Sequence, residues 1–257
     1  MSERDATRIQ LCGNFVARVA GRRIEQELPG RQGRLLFAYL AVNRDRVAGR
    51  DELTDALWPR RLPSAPDLAL SALLSKLRRL LPDGAIAGRS QIRLELGREA
   101  RIDVEAARNG MHRAEALVAD GHWYAAIGPT LVAYNISQRR LLPGEEGGWI
   151  EELRRELDEI HVRALECTAK RCLALGGPEV VVAERTARRL IDLSPYRESG
   201  YTALMEAFER QGNIAEGLRV YERLRGLLRD ELGAAPSPAV QRVHERLLSR
   251  GLPGEDR

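Results

Sequence analysis

The sequence predicts a mainly α-helical protein, with a small α+β module at the N-terminus and an all-α remainder. Three observations predict it. Short period-two apolar segments are confined to the first hundred or so residues, leucine-rich segments with helical spacing lie among and after them, and glycine-punctuated helix pairs fill everything past residue 103. At 257 residues the chain is long for one core and comfortable for two domains of roughly 100–150 residues. We place the boundary between 1–102 and 103–257. Hydrophobic residues at 44% and charged residues at 30% describe a soluble globular chain rather than a disordered one. The longest apolar run, 35–42, is far too short to span a bilayer, and the polar opening 1–5 carries no signal-peptide core. No membrane role is expected. Cys12, Cys167 and Cys172 are an odd set without C-x-x-C spacing. That argues against a disulfide framework or structural zinc, and for a reducing cytoplasm.

Residues 9–28 read as short strands. Ile9, Leu11, Phe15, Ala17 and Val19 carry most of the alternation, with turns at Gly13-Asn14 and Gly21-Arg22. A buried helix follows over 35–42, opened by the polar stretch 31–34. A second short helix begins at Arg50-Asp51-Glu52-Leu53 and ends at Trp58-Pro59, because proline disfavours helical geometry in the residue before it. Ser64 is a candidate N-cap, with Asp67 in a capping-box-like position. The helix it opens carries Leu70, Leu73, Leu74, Leu77, Leu80 and Leu81 on one face and stops at Pro82-Asp83-Gly84. Residues 85–87 and 92–96 then flank Gly88-Arg89-Ser90 as a hairpin. Strands, three helices and a hairpin in about 100 residues are the element order of a winged helix, whose last helix can enter a major groove.

From Asp103 onward three helix pairs can be drawn: 104–120 with 122–135, 150–175 with 178–193, and 196–211 with 214–230. Their turns hold Gly121, Gly176-Gly177 and Gly212. The spacing of the last two turns is close to the roughly 34-residue tetratricopeptide period. Ala126-Ile127 and Gly217-Leu218 sit at matching offsets, as small-then-large packing contacts would require. Such repeats cannot bury their faces alone, and 238–248 suits a capping helix.

Charge is spread unevenly. Residues 1–102 hold 19 Lys+Arg against 12 Asp+Glu, a balance of +7. The rest hold 41 − 19 = 22 against 37 − 12 = 25, a balance of −3. A basic module joined to a mildly acidic one suggests that the first part meets a polyanion. With the leucine stripe taken as buried, the third helix turns Leu68, Ala72, Ser75 and Arg79 outward, flanked by Ser71, Lys76 and Arg78. Arg78 and Arg79 could grip phosphates or a guanine edge, and Ser71 and Ser75 could approach bases closely. Arg89 and Arg93 on the hairpin could reach an adjacent minor groove or backbone. Arg44, Arg46 and Arg50 could hold phosphate beside the second helix's N-terminus. Against this, Arg78 and Arg79 also suit a helix C-terminus, where cations favour the macrodipole by about 0.3–1 kcal/mol.

The chain resembles the SARP-type bacterial regulators, which join a response-regulator-like winged helix to a helical bacterial transcriptional activation domain. In the first part the resemblance rests on Arg50-Asp51-Glu52-Leu53-Thr54-Asp55-Ala56-Leu57-Trp58, on the run from Leu70 through Leu81, on Ile92-Arg93-Leu94-Glu95, and on Ile102-Asp103-Val104-Glu105. In the second it rests on Leu218-Arg219-Val220-Tyr221-Glu222-Arg223-Leu224-Arg225, on Leu228-Arg229-Asp230-Glu231-Leu232-Gly233, and on Pro236-Ser237-Pro238. It covers about 9–248 and leaves no room for a further sensor domain. The resemblance implies an activator that binds double-stranded DNA at promoter direct repeats, as a dimer or as tandem copies. It also implies recruitment of RNA polymerase, control of a pathway of secondary metabolism such as antibiotic biosynthesis, and a cytoplasmic, nucleoid-associated location. The loop 58–65, with Trp58, Arg60 and Arg61, is implied to face polymerase. The chain departs from the family at Asp67 and Leu68, where Arg and Asn are often found, at Ala72, where a longer polar residue is, and at Gln91-Ile92 in the wing, where Gly-Tyr is. Those changes thin the base-reading surface.

No enzyme emerges. His112, His122, His161 and His244 lack metal-ligand spacing, and no G-x-S-x-G, P-loop or dinucleotide-binding pattern occurs. No cofactor or metal is expected, and the cysteines read as packing residues rather than a redox sensor. The rival reading is an interaction protein: a tetratricopeptide-like regulator with a degenerate winged helix. Its concave face would use Trp123, Tyr124, Tyr134, Trp149, Tyr196, Tyr201 and Tyr221. Small-molecule control through the repeats is a third reading, for which the sequence names no pocket.

Overall fold

In the computed structural model, which describes residues 6–97 and 99–251, the chain opens on β1 (Arg8–Gln10), β2 (Val16–Val19) and β3 (Arg22–Arg23). The polar opening 1–5 lies outside the described residues. There follow α1 (Gly30–Val42), β4 (Ala48–Gly49), α2 (Arg50–Leu57), α3 (Pro66–Leu80), β5 (Ile86–Ala87), β6 (Gln91–Leu94) and β7 (Arg101–Ile102). The helical remainder is α4 (Asp103–Ala119), α5 (Ile127–Ser137), α6 (Gly148–Leu175), α7 (Glu179–Leu193), α8 (Glu198–Gln211), α9 (Ile214–Leu232) and α10 (Pro238–Gly251). None of these helices is long and apolar enough to cross a membrane. Two compact units result. One comprises 1–108 with 135–158, the other 109–134 with 159–257, so their boundaries fall inside or beside α4, α5 and α6.

The first unit is a winged helix. Its N-terminal sheet has the order β3-β2-β1-β7, with β7 parallel to β1. Its second sheet, β4-β6-β5, is the wing, antiparallel throughout. In the wing turn Gly88 has φ +85°, and a Cβ there would stand 1.7 Å from the Gln91 carbonyl oxygen, so only glycine fits. Between the sheets, α1 buries nine residues, including Leu36 and Phe37, against α2 and α3. From α3 the buried face is Leu70, Leu74 and Leu77, each worth about 1.5–3 kcal/mol when fully removed from water. Residues 139–142 rejoin this unit as Leu141 bridges Cys12 and the Leu142 amide donates to the Leu11 carbonyl.

Two local expectations fail. Ser64 does not cap α3: the helix starts at Pro66, its N-cap is Ala65, and no side chain caps it. Proline at the first helical position has no N–H to be capped and already holds helical φ. Asp67 is likewise not a capping residue; it lies in the first turn and pairs with Arg50 at 3.4 Å. In addition, 122–126 form a turn rather than helix, with α5 starting only at Ile127.

The second unit is a tetratricopeptide-like helical stack in which α7 packs on α8, α8 on α9, and α10 on both α8 and α9. Its core gathers Cys172, Ala187, Tyr201, Met205, Phe208, Leu224 and Leu247. Gly212 ends α8 in the left-handed conformation, φ +77°. Gly217 is small for a packing reason, since a Cβ there would come within 2.9 Å of Leu247 on α10. Helix α10 thus caps the stack.

Candidate nucleic-acid interface

The outward side of α3 is open. Leu68 (73% exposed), Ser71, Ala72, Ser75, Lys76, Arg78 and Arg79 are all exposed, opposite the buried leucines. Two arginines fix this helix to its surroundings. From the start of α2, Arg50 donates to the Ser71 hydroxyl (2.7 Å), the Asp67 carbonyl (3.1 Å) and the Arg89 carbonyl (3.4 Å). From α3, Arg78 donates to the carbonyls of Gly88 (2.6 Å) and Ile86 (3.4 Å). Helix and wing are therefore one rigid surface.

The other basic residues divide sharply. Arg44 makes two 2.7 Å bonds to the Glu105 carboxylate and reaches the Ala100 carbonyl at 3.2 Å, all within this unit. Arg46 donates to Glu52 at 2.6 Å, and the Tyr39 hydroxyl donates to the same oxygen at 2.5 Å. The hydrogen bond from Arg46 first, then those from Tyr39 and the Gly49 amide, hold the Glu52 carboxyl below the usual carboxylate range despite burial. The same contact raises the Arg46 guanidinium. Arg93 pairs with Glu95 at 2.5 Å. Lys76, Arg79 and Arg89 are different. Among the described residues their side chains have no acidic or hydrogen-bonding partner, nor has the Ser75 hydroxyl. The ten residues singled out are thus not brought to one surface on equal terms: Ser75, Lys76, Arg79 and Arg89 are available, and Arg44 and Arg46 are engaged in fold-holding pairs.

The loop after α2 is exposed at Arg60 and Arg61 and half-buried at Trp58, which caps the helix. Arg60 pairs with Glu146 at 2.6 Å, and Trp149 Nε1 donates to the Ala56 carbonyl at 3.2 Å. Tyr39 meets the Trp149 ring edge-on, 5.2 Å between centroids. Sequence reasoning missed the residue that holds this region, Arg154. Its buried guanidinium donates to the carbonyls of Leu141, Leu142 and Glu145. An arginine inside a charge-rich helix carries no local signal of such a role.

Residues 102–248 match the family model for the bacterial transcriptional activator domain. The chain belongs to that family. This activator-domain protein is similar to the regulatory protein AfsR of Streptomyces coelicolor, 33% identical over 218 residues, which are 84% of this chain and 22% of AfsR. It is similar also to the transcriptional regulatory protein EmbR of Mycobacterium tuberculosis, 30% identical over 236 residues, covering 84% of this chain and 57% of EmbR. The chain therefore spans less than two thirds of either relative. A solved structure of M. tuberculosis EmbR in complex with a low-affinity phosphopeptide has the same fold, with a TM-score of 0.82 at 22% identity over 95% of this chain and 65% of that one. The SARP-type motifs have concrete duties in this family member. Asp103 accepts from the amides of Leu11 and Cys12, both at 2.8 Å, and Glu105 holds Arg44. Burial pushes the Asp103 carboxyl up, against the opposing effect of those amides. Leu224 and Leu228 fill the core of the helical unit, and the Ser237 amide donates to Glu198 at 2.8 Å.

Proposed function

We propose that this protein is a sequence-specific DNA-binding transcriptional activator whose α3 lies in the major groove of promoter direct repeats. The observation that carries the reading is the outward face of α3. Ser75, Lys76 and Arg79 stand there exposed and, among the described residues, unpartnered, with Arg89 on a wing that Arg50 and Arg78 tie to the helix. Lys76 and Arg89 neutralise phosphate, Arg79 reads a base edge or a phosphate, and Ser75 makes a close base contact. DNA binding is assigned to 1–102 and activation to 103–257, with the loop carrying Trp58, Arg60 and Arg61 presented to RNA polymerase. Relatives named as regulatory proteins, EmbR as a transcriptional one, support the regulatory role. The chain binds the repeat as a dimer or as tandem copies.

The test is a mobility-shift titration of the full chain against its own upstream DNA and a shuffled sequence, at two salt concentrations. The reading expects preference for the upstream DNA and affinity that falls steeply with salt. Equal affinity for both sequences would move the function to the interaction reading, with the winged helix as scaffold.

A further inference from the structure

The helical unit contains a cleft that DNA binding does not use. It encloses about 590 Å³ between α6, α8 and the start of α10, with Trp123 forming one wall. That volume lies within the roughly 300–1,000 Å³ typical of small-molecule sites. Its apolar lining includes Ala169, Leu173, Leu190 and Ala203, all buried.

Five charged side chains line it, and they divide as the arginines of the winged helix do. The three acids are engaged. Glu166 accepts from Arg197 at 2.7 Å, Glu206 from Arg246 at 3.4 Å, and Glu198 from the Ser237 amide at 2.8 Å. The two bases are not. Among the described residues no carboxylate stands within ion-pair distance of Lys170 or Arg210. Arg210 reaches the α6–α7 turn, its Nη1 3.9 Å from where a Cβ on Gly176 would stand. Lys170 lies six residues before that turn on α6, about 9 Å along the helix axis. Both cations line the cleft and both are exposed. The carbonyls of a helix end account for Arg210 in part. They do not account for Lys170.

We infer that this cleft binds a small organic anion: an apolar body lying against Trp123 and Leu173, with an acidic group drawn to Lys170 or Arg210 on the cleft wall. Charge complementarity selects the anion, and a volume of about 590 Å³ suits a small molecule. The site is independent of the DNA reading; either can fail without the other.

The probe is 8-anilinonaphthalene-1-sulfonate, an aromatic body with a single sulfonate, titrated into the full chain by fluorescence. Saturable binding to one site per chain is expected, displaced by dodecanoate and not by dodecanol. The double variant Lys170→Gln/Arg210→Gln should lose affinity by about tenfold or more, the scale of one charge-assisted hydrogen bond. Ala174→Phe, at an exposed position on the cleft wall, should abolish binding by filling the space. Circular dichroism checks that each variant is folded, and the two act by different means, so either can decide. Unchanged probe binding in either variant, shown to be folded, would overturn the inference. So would displacement by a peptide ending in a leucine carboxylate when dodecanoate is inert, since the cleft would then be a peptide groove.

Discussion

In the helical unit, Tyr201, Met205, Leu224 and Leu247 meet in a continuous apolar core, and Gly217 lets α10 close on α9. In the winged-helix unit the leucines of α1 and α3 also pack, but the short strands and loops around them are held by polar ties. Asp103 holds two amides of the N-terminal segment, Arg44 grips Glu105, and Arg154 gathers three carbonyls. The reason is length. A strand of two to four residues buries too little to fix itself, so its backbone groups need long-range side-chain partners. The consequence reaches function, because a basic composition overstates the charge available to a polyanion when some arginines are consumed this way.

This contrast can be broken experimentally. The largest effect should come from Leu224→Ala, which leaves a cavity in the helical core and should cost about 2–5 kcal/mol in urea unfolding. Next is Arg154→Met, which strands buried carbonyls and should cost about 1–3 kcal/mol. Hydrogen exchange of the Leu142 amide, bonded to the Leu11 carbonyl, should accelerate in that variant, while amides of α8 stay protected. If α8 loosened equally, the two units would not be separately stabilised.

A smaller effect is acid sensitivity. The Glu52 carboxyl is held below its usual range by Arg46, so its stabilising contribution is complete above the ordinary carboxylate value. It is lost as pH falls through the lower folded value, because the unfolded chain takes up the proton first. Glu52→Gln should therefore flatten the acid limb of stability against pH. The smallest effect is chemical. Cys12, Cys167 and Cys172 are all buried, and burial pushes the Cys167 and Cys172 thiols up to about 11 and Cys12 higher still. At pH 8 none should react appreciably with a thiol reagent until the protein is unfolded.

The same contrast explains what the sequence discloses. The helix pairs are legible because apolar spacing and glycine turns are local, and the boundaries of α7 to α9 fall within two residues of expectation. The outward face of α3 is legible for the same reason. The strands β4 and β7 are not, since two residues have no period to read. Ser64 misleads because Pro66 already sets the helix start. The division of the arginines is the least legible feature: the partner of Arg44 lies 61 residues along the chain, and nothing near Arg44 marks it as taken while Arg79 has no partner among the described residues.

The decisive measurement is the slope of log affinity against log salt for promoter DNA, compared among the parent chain, Arg79→Ala and Arg44→Ala. If α3 faces the duplex and Arg44 serves the fold, Arg79→Ala weakens binding, with the slope shallower by about one if it grips a phosphate, and Arg44→Ala leaves folded protein with the parental slope. A parental slope and affinity for Arg79→Ala, together with a shallower slope for Arg44→Ala, would contradict the account.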